Sequence, residues 1–288
     1  MEQEIKNEAV QEAVSQTKEE ISKETLTEAI VDAQTTLNNR KILVTQNTTT
    51  VQLPSNGLIN PKINQVTLRR MTVKEIKTLH TSKDPNYLST LILGCIVDPA
   101  NVTVNDLHPN DIIYLLFVLR YISTPNNLIQ KNRCPECGRE FDSKVDIQEL
   151  NVDYMEEHEN EFTCTLPECN SKLTFRILSE GELQNAEKIS NRKAKQLQLD
   201  EEDAEWYNLI SKTAYQLVSK DDKDFDEFKD KVEFLESLSA YDFEFYQTEY
   251  SKIIRSFGLD LKYMTECPKC GEDIEVQAYI APDFFRLV

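Results

Sequence analysis

Glycine, histidine and tryptophan are scarce in this chain, at 6, 3 and 1 of 288 residues. So few glycines, none in a G-x-x-x-x-G-K or G-x-G-x-x-G arrangement, exclude the phosphate-cradling loops of nucleotide-binding enzymes. The histidines are His80, His108 and His158, and no H-E-x-x-H sets two of them on one helical face. The zinc-deaminase pattern is missing as well: His158 is followed by Glu159 and Asn160, and Arg133 and Glu266 stand where that pattern needs proline before C-x-x-C. No apolar run approaches the roughly 20 residues of a bilayer span; the longest are LSTLILGCIV and IIYLLFVLRYI. The acidic, polar start lacks a signal-peptide pattern, so a cytosolic product is expected. Basic charge is short too, with 32 Lys and Arg against 50 Asp and Glu and a net charge of −18. Without a basic face to replace phosphate counterions, nucleic acid is not an expected partner.

The residues present make a globular composition, 40% hydrophobic and 28% charged, long enough for one large domain or two modest ones. The charge is uneven. Residues 1–40 hold 9 acidic and 4 basic side chains, residues 179–260 hold 20 and 11, and residues 41–178 are nearly neutral at 16 and 14. Four segments follow: an acidic tail at 1–40, a hairpin and helix core at 41–178, an acidic helical insertion at 179–260, and a closing strand segment at 261–288. In the first, Val10, Val14, Ile21, Leu26, Ile30, Ala33 and Leu37 recur at helical spacing as a thin stripe. That stripe fits either a solvated tail or a helix that docks on a partner.

In the second segment, two β-rich runs flank a turn centred on Pro54–Gly57, which predicts a hairpin. Thr72 with Glu75 forms a capping box for a short helix to about His80. Asp84 and Pro85 predict the start of a second helix, and HPNDIIYLLFVLRYIS a third opening near Pro109 with His108 at its cap or surface. Both are apolar on most sides, and Cys95 inside the earlier one reads as packing. In the insertion, Ser179 with Glu182 and Asp224 with Glu227 are capping boxes. A last helix carries Tyr246, Tyr250, Ile253 and Phe257 on one face and is expected to stop at Gly258. Phe225, Phe228, Tyr241, Phe243, Phe245, Tyr246 and Tyr250 crowd this acidic stretch, either as helix core or as anchors rimmed by acid that suit a basic partner.

Seven cysteines remain to be placed. Cys134 and Cys137 lie in CPECG and Cys267 and Cys270 in CPKCG; each run is followed by β alternation, and Cys164 and Cys169 sit at a third hairpin turn. Close thiol pairs in a cytosolic chain point to metal rather than disulfides. Zinc prefers four ligands in a tetrahedron, and two C-P-x-C-G turns offer matched halves of one site. Pairing Cys134 and Cys137 with Cys267 and Cys270 is preferred and makes a zinc ribbon that encloses the insertion. Pairing with Cys164 and Cys169, with only 26 residues between the pairs, stays open, and so does a native state without metal. An all-cysteine site leaves no open position, so the zinc is expected to be structural and not catalytic. The expected fold class is therefore α+β: a helical core with β-hairpins and a zinc-ribbon element, plus the acidic helical insertion.

The order VQLPSNG, VTLRRMTVKE, LILGCIVDPANVTVNDLHPNDIIYLLFVLRYIS and CPECGREFDSKVDI, followed by FTCTLPECNSKLTFRILSEGE, DFDEFKDKVEFLESLSAYD and GLDLKYMTECPKCGEDIEVQAYIAPDFFRLV, resembles the baseplate hub and hub-assembly proteins of T-even-type bacteriophages. The resemblance spans about residues 48–288. It implies a non-enzymatic part in building the tail baseplate hub, as component or as assembly chaperone. Its partners would be other baseplate or tail proteins, with no small-molecule substrate, nucleic acid or membrane, and with the oligomeric state left open. It also implies a place in the host cytoplasm during assembly and in the tail baseplate of the virion. Two features depart from it: Cys164 and Cys169 stand where an LPxxG-like metal-free turn is expected, and the first forty residues fall outside it. From the residues alone, the competing reading is a zinc-ribbon adaptor of a nucleic-acid or transcription machine, which the charge balance opposes. A zinc hydrolase or deaminase is opposed by the cysteine-only ligand set.

Overall fold

The alternation of TTTVQ and QVTLR puts Thr49 and Val51, and Val66 and Leu68, on one buried face of strands β1 (Thr48–Gln52) and β2 (Gln65–Arg69). The two pair antiparallel, Val51 opposite Val66, as the expected hairpin. β3 (Ile96–Asp98) adds to the other edge of β2. Helix α1 (Val73–Thr81) starts where the capping box predicts, with the Thr72 N–H donating to Glu75 Oε2 at 2.6 Å. Arg69, 2.6 Å from the same carboxylate, is the main cause that holds Glu75 down to about 2. In this computed structural model the described residues are 48–81, 87–124, 128–156, 159–281 and 284–285. The expected tail, the Asp84–Pro85 helix start and His158 lie outside them. Helix α2 (Tyr87–Cys95) buries Ile92 and Cys95 completely.

Helix α3 (Pro109–Ser123) is apolar on most sides and is buried continuously from Tyr114 to Arg120. Its first turn, His108-Pro109-Asn110-Asp111, ties several parts of the chain together. His108 is the N-cap, and its Nδ1 accepts the Asn110 N–H at 3.0 Å. Asp111 accepts the N–H of Ser55, from the β1–β2 loop, at 2.9 Å and the N–H of His108 at 3.3 Å. The Asn110 side chain donates to the carbonyls of Ile254 and Phe257, each at 2.8 Å. The carbonyl of Leu107, one residue before the cap, accepts the Glu180 N–H that opens helix α4 (Glu180–Leu197). There Gly181 leaves no room for a side chain, since a Cβ would lie 2.5 Å from Asn105 Cβ and 2.9 Å from its Cα, beside the 3₁₀ turn Val104–Asp106.

Helix α4, headed by the expected Ser179–Glu182 box, runs back along helix α5 (Glu201–Gln216), which Asp200 caps. The sequence reading has only helices between 179 and 260, but here the chain also forms a hairpin. β9 (Leu217–Lys220) and β10 (Lys223–Asp224) turn through Asp221 and Asp222 at φ +52° and +60°. β9 then pairs with β8 (Lys172–Phe175), which pairs with β7 (Phe162–Thr165), so the acidic segment is joined to the second cysteine hairpin by one four-stranded sheet. Asp224 is consumed by that hairpin and caps nothing. Helix α6 (Phe228–Ser237) opens instead on a Glu227–Asp230 box. Helix α7 (Ala240–Arg255) ends at Ser256, before the expected Gly258. Gly258, at φ +125° and packed against Asn110, begins the short strand β11 (Gly258–Leu259), which pairs with β6 (Val152–Asp153).

The aromatics of the acidic stretch mostly face inward. Tyr246 and Phe175 meet edge to face at 5.2 Å among Leu166, Leu173, Ile210, Ala214, Leu217 and Leu235. Phe225, Phe228, Phe243, Phe245 and Tyr250 pack around that cluster. The Tyr246 hydroxyl reaches Gln216 Oε1 at 2.9 Å. At the end of the chain, Phe284 packs edge-on against Phe117 of α3. No described helix is long and apolar enough to cross a membrane.

The α3 junction sets a pH signature. Burial pushes His108 down to about 3 from its ordinary 6.5. The unfolded chain therefore takes up a proton that the folded chain refuses, and His108 removes stability as pH falls from 6.5 toward 3. Burial pushes Asp111 up to about 6 from 3.8, against the hydrogen bonds from Ser55 and His108. Its sign is opposite: it adds stability as pH falls through 6 to below 4, and the two contributions offset each other there. His108→Asn, which keeps a capping side chain, should make stability rise between pH 6 and 4 relative to wild type, as read by urea midpoints across pH. Tyr246→Phe leaves the Gln216 acceptor buried without its donor and should cost about 1–3 kcal/mol in the same assay at pH 7.

Candidate metal centre

The two C-P-x-C-G runs fold alike because each closes an antiparallel hairpin. The first joins β4 (Leu128–Arg133) to β5 (Glu140–Val145), with Arg133 opposite Glu140. The second joins β12 (Lys262–Glu266) to β13 (Asp273–Gln277), with Glu266 opposite Asp273. In the first turn the Cys134 N–H donates to the Arg139 carbonyl at 2.9 Å and the Gly138 N–H to the Cys134 carbonyl at 3.0 Å. In the second, Cys267 and Glu272, and Gly271 and Cys267, repeat these bonds at 2.8 and 2.9 Å. Gly138 and Gly271 sit at φ +68° and +72°, left-handed backbone that a Cβ would strain.

The hairpins meet through their sulfurs. Cys134 Sγ lies 3.7 Å from Cys270 Sγ and Cys137 Sγ lies 3.7 Å from Cys267 Sγ, although each pair is at least 130 residues apart in sequence. All four ligand atoms fall within 4.8 Å of one another. A disulfide needs about 2.05 Å, so these are thiols in contact. Four sulfurs at about 2.3 Å from one zinc would be roughly 3.8 Å apart at the corners of a tetrahedron, and the observed spacing fits that group. Ile274, Phe141 and Val276 pack around the cluster, and Cys134 and Cys267 are fully buried. Away from the sulfurs, the Tyr263 hydroxyl on β12 bonds Ser143 Oγ on β5 at 2.6 Å and accepts from Asn132 on β4 at 3.2 Å.

The site's electrostatics favour thiolate at one corner. N–H groups of Cys270 and Lys269, with smaller help from neighbouring thiols, draw Cys267 down to about 6 against burial. Cys270 moves the other way, to about 12: the Glu272 N–H favours its thiolate, but burial and the thiols of Cys267, Cys134 and Cys137 outweigh it. Four thiols this close cannot all ionise unaided, whereas a divalent cation among them would deprotonate them together.

Cys164 and Cys169 stand elsewhere. Among the described residues, the group of His, Cys, Asp and Glu side chains that could hold a metal is Cys134, Cys137, Cys267 and Cys270. The reason lies in the register of the third turn. LPECNS superimposes in pattern on CPECGR and CPKCGE, so Leu166 takes the place of the first cysteine and Asn170, at φ +54°, that of the glycine. The Leu166 N–H donates to the Ser171 carbonyl at 3.0 Å, matching the Cys134–Arg139 bond. Cys164 lies two residues earlier, on β7, half-buried and raised by burial to about 11. The N–H groups of Glu168 and Cys169, equivalents of those that serve the Cys267 sulfur, donate at 2.9 and 3.0 Å to the buried Asp242 carboxylate from the first turn of α7. Burial opposes ionisation, but these bonds hold Asp242 below its ordinary value. The missed site residue was thus Asp242. The signal for a metal-free turn was present in the four residues between Cys164 and Cys169 and in a proline that follows leucine instead of cysteine. Of the histidines, His108 is buried in the α3 cap and His80 falls in α1.

No curated protein and no protein of solved structure matches this chain. The family of T4 bacteriophage base plate proteins matches residues 45–286, a span that takes in every strand and helix described above together with both C-P-x-C-G turns. The chain belongs to the T4 bacteriophage base plate protein family, and is a component of the phage baseplate.

Proposed function

We propose that this protein is a non-enzymatic hub component or hub-assembly factor of the baseplate, held in shape by one structural zinc ion on Cys134, Cys137, Cys267 and Cys270. The observation that carries the reading is the convergence of those four sulfurs, in a chain whose family is that of base plate proteins. An all-thiolate site offers no open position for a substrate or a water nucleophile, so the metal's work is to fasten. It would make the two hairpins one zinc ribbon, and because the ribbon joins residues 134–137 to 267–270, metal binding would add to the folding free energy of what lies between. We take the segments at 41–178, 179–260 and 261–288 as core, partner-facing portion and ribbon closure. The partners would be other baseplate or tail proteins, met in the host cytoplasm during assembly and kept in the tail if the protein remains in the virion.

Metal analysis of the protein purified without chelator should find one zinc per chain. Cys134→Ser and Cys267→Ser should each lose it and lower the thermal midpoint, while Cys164→Ser should keep it. Zinc retained in Cys267→Ser but lost in Cys164→Ser would move the site to the local pair. Recovery of the chain in purified baseplates or their assembly intermediates tests the hub reading. A chain found in neither overturns it.

A further inference from the structure

Most aromatic side chains of the acidic portion are covered, but one group is not. Trp206 on α5 is 55% exposed. Trp206 packs at 5.7 Å against Phe243 with the rings tilted by 52°, and with Leu235, Leu238 and Glu236 they border a groove of about 450 Å³ between α5 and the α6–α7 corner. That volume is enough for one large apolar side chain.

The rim of the groove is acidic. Glu236 lines it, Glu202 and Asp203 lie one helical turn before Trp206, and Glu205 is adjacent to it in sequence. Each is exposed, and none takes part in an ion pair among the described residues; the nearby lysines Lys212, Lys229 and Lys252 pair with Glu187, Glu233 and Glu249 instead. Uncompensated carboxylates around an exposed tryptophan repel one another and leave apolar surface in water, both of which a cationic apolar ligand would relieve. A second copy of this chain would bring the same acid against it, at a net charge of −18 per chain, and residues 1–40 also carry an acidic excess.

We propose that this groove is the docking site for a basic segment of a neighbouring tail protein, which inserts a leucine- or phenylalanine-sized side chain beside Trp206 and sets lysine or arginine against the rim. The proposal rests on the baseplate reading for the source of the partner, and on the groove's own chemistry for its class. Association is steered by the charges and anchored by the apolar side chain.

Trp206 is the single tryptophan of the chain, so its fluorescence reports this groove directly. The full-length protein is titrated with a synthetic peptide of about a dozen residues carrying lysines and leucines at helical spacing. The expected result is a blue shift of Trp206 emission. Binding should weaken at least about tenfold when the leucines are replaced by serine, when the lysines are replaced by glutamate, and in the Glu202→Lys, Glu236→Lys double variant. No shift, or an equal response to the serine peptide, overturns the proposal. So does a blue shift that appears on concentrating the protein alone, which would make a second copy the occupant. Hydroxyl-radical footprinting of purified baseplates separates this idea from the one it rests on. Trp206 protected relative to the free chain supports the groove. The chain present with Trp206 as reactive as in the free state removes the groove and leaves the baseplate reading standing. If the chain is missing from both baseplates and their assembly intermediates, that reading fails and the peptide titration still decides the groove.

Discussion

The first turn of α3 is the constraint on which the rest of the fold depends. Within His108 to Asp111, Asp111 bonds the β1–β2 loop and Asn110 the end of α7, and the residue before them bonds the start of α4. Such a junction works because a helix start has N–H groups to satisfy and here spends polar side chains on backbone from elsewhere. It is also buried, so His108 is held neutral and the Asp111 carboxyl is harder to ionise than usual. Residues separated in sequence by up to 147 positions are fixed there without any metal.

The cysteine cluster is the second fastening, and its chemistry is best understood beside the turn that lacks it. Two of the three turns aim a small nest of N–H groups at an acidic group. At Cys267 the anion is the residue's own sulfur. At LPECN the position is leucine, and the N–H pair is satisfied by Asp242, brought in by the helix that packs on this hairpin. One backbone design thus serves two purposes: joining hairpin to hairpin through sulfur, and joining hairpin to helix through a carboxylate. That substitution explains why a pair of cysteines beside a knuckle-like turn need not be a metal half-site.

The acidic portion is both interior and surface. Its inward aromatics complete the core around Tyr246 and Phe175, and β9 stitches it into the sheet of the second hairpin. That leaves Trp206 outside, beside carboxylates with no cation of their own. A baseplate component needs a shape that does not yield and a surface that discriminates among neighbours. In this chain the α3 junction supplies the first, a metal on the thiol cluster would add to it, and the acid-rimmed groove is suited to the second.

Local chemistry was legible from residues alone. The capping pairs Thr72–Glu75 and Ser179–Glu182, the Pro54–Gly57 turn, the buried α3 and the two C-P-x-C-G turns depend on neighbours within a few positions, which sequence states directly. The Asp224 cap and the Gly258 stop were misread for the same reason. Asp224 is taken up opposite Ser219 in a hairpin whose first strand, β9, is held by β8, and Gly258 by packing against Asn110; β8 and Asn110 are both far off in sequence. Which cysteines meet was likewise narrowed to matched turns by pattern, but their meeting is an arrangement of two hairpins far apart along the chain. The role of Asp242 and the exposure of Trp206 are of that kind too: a carboxylate or an indole looks the same in sequence whether it is buried against a turn or left facing solvent. Sequence determined what each short stretch could do, because backbone preference and thiol chemistry act locally. Tertiary structure alone decided which stretches do it together, because that depends on packing between residues that nothing in their order connects.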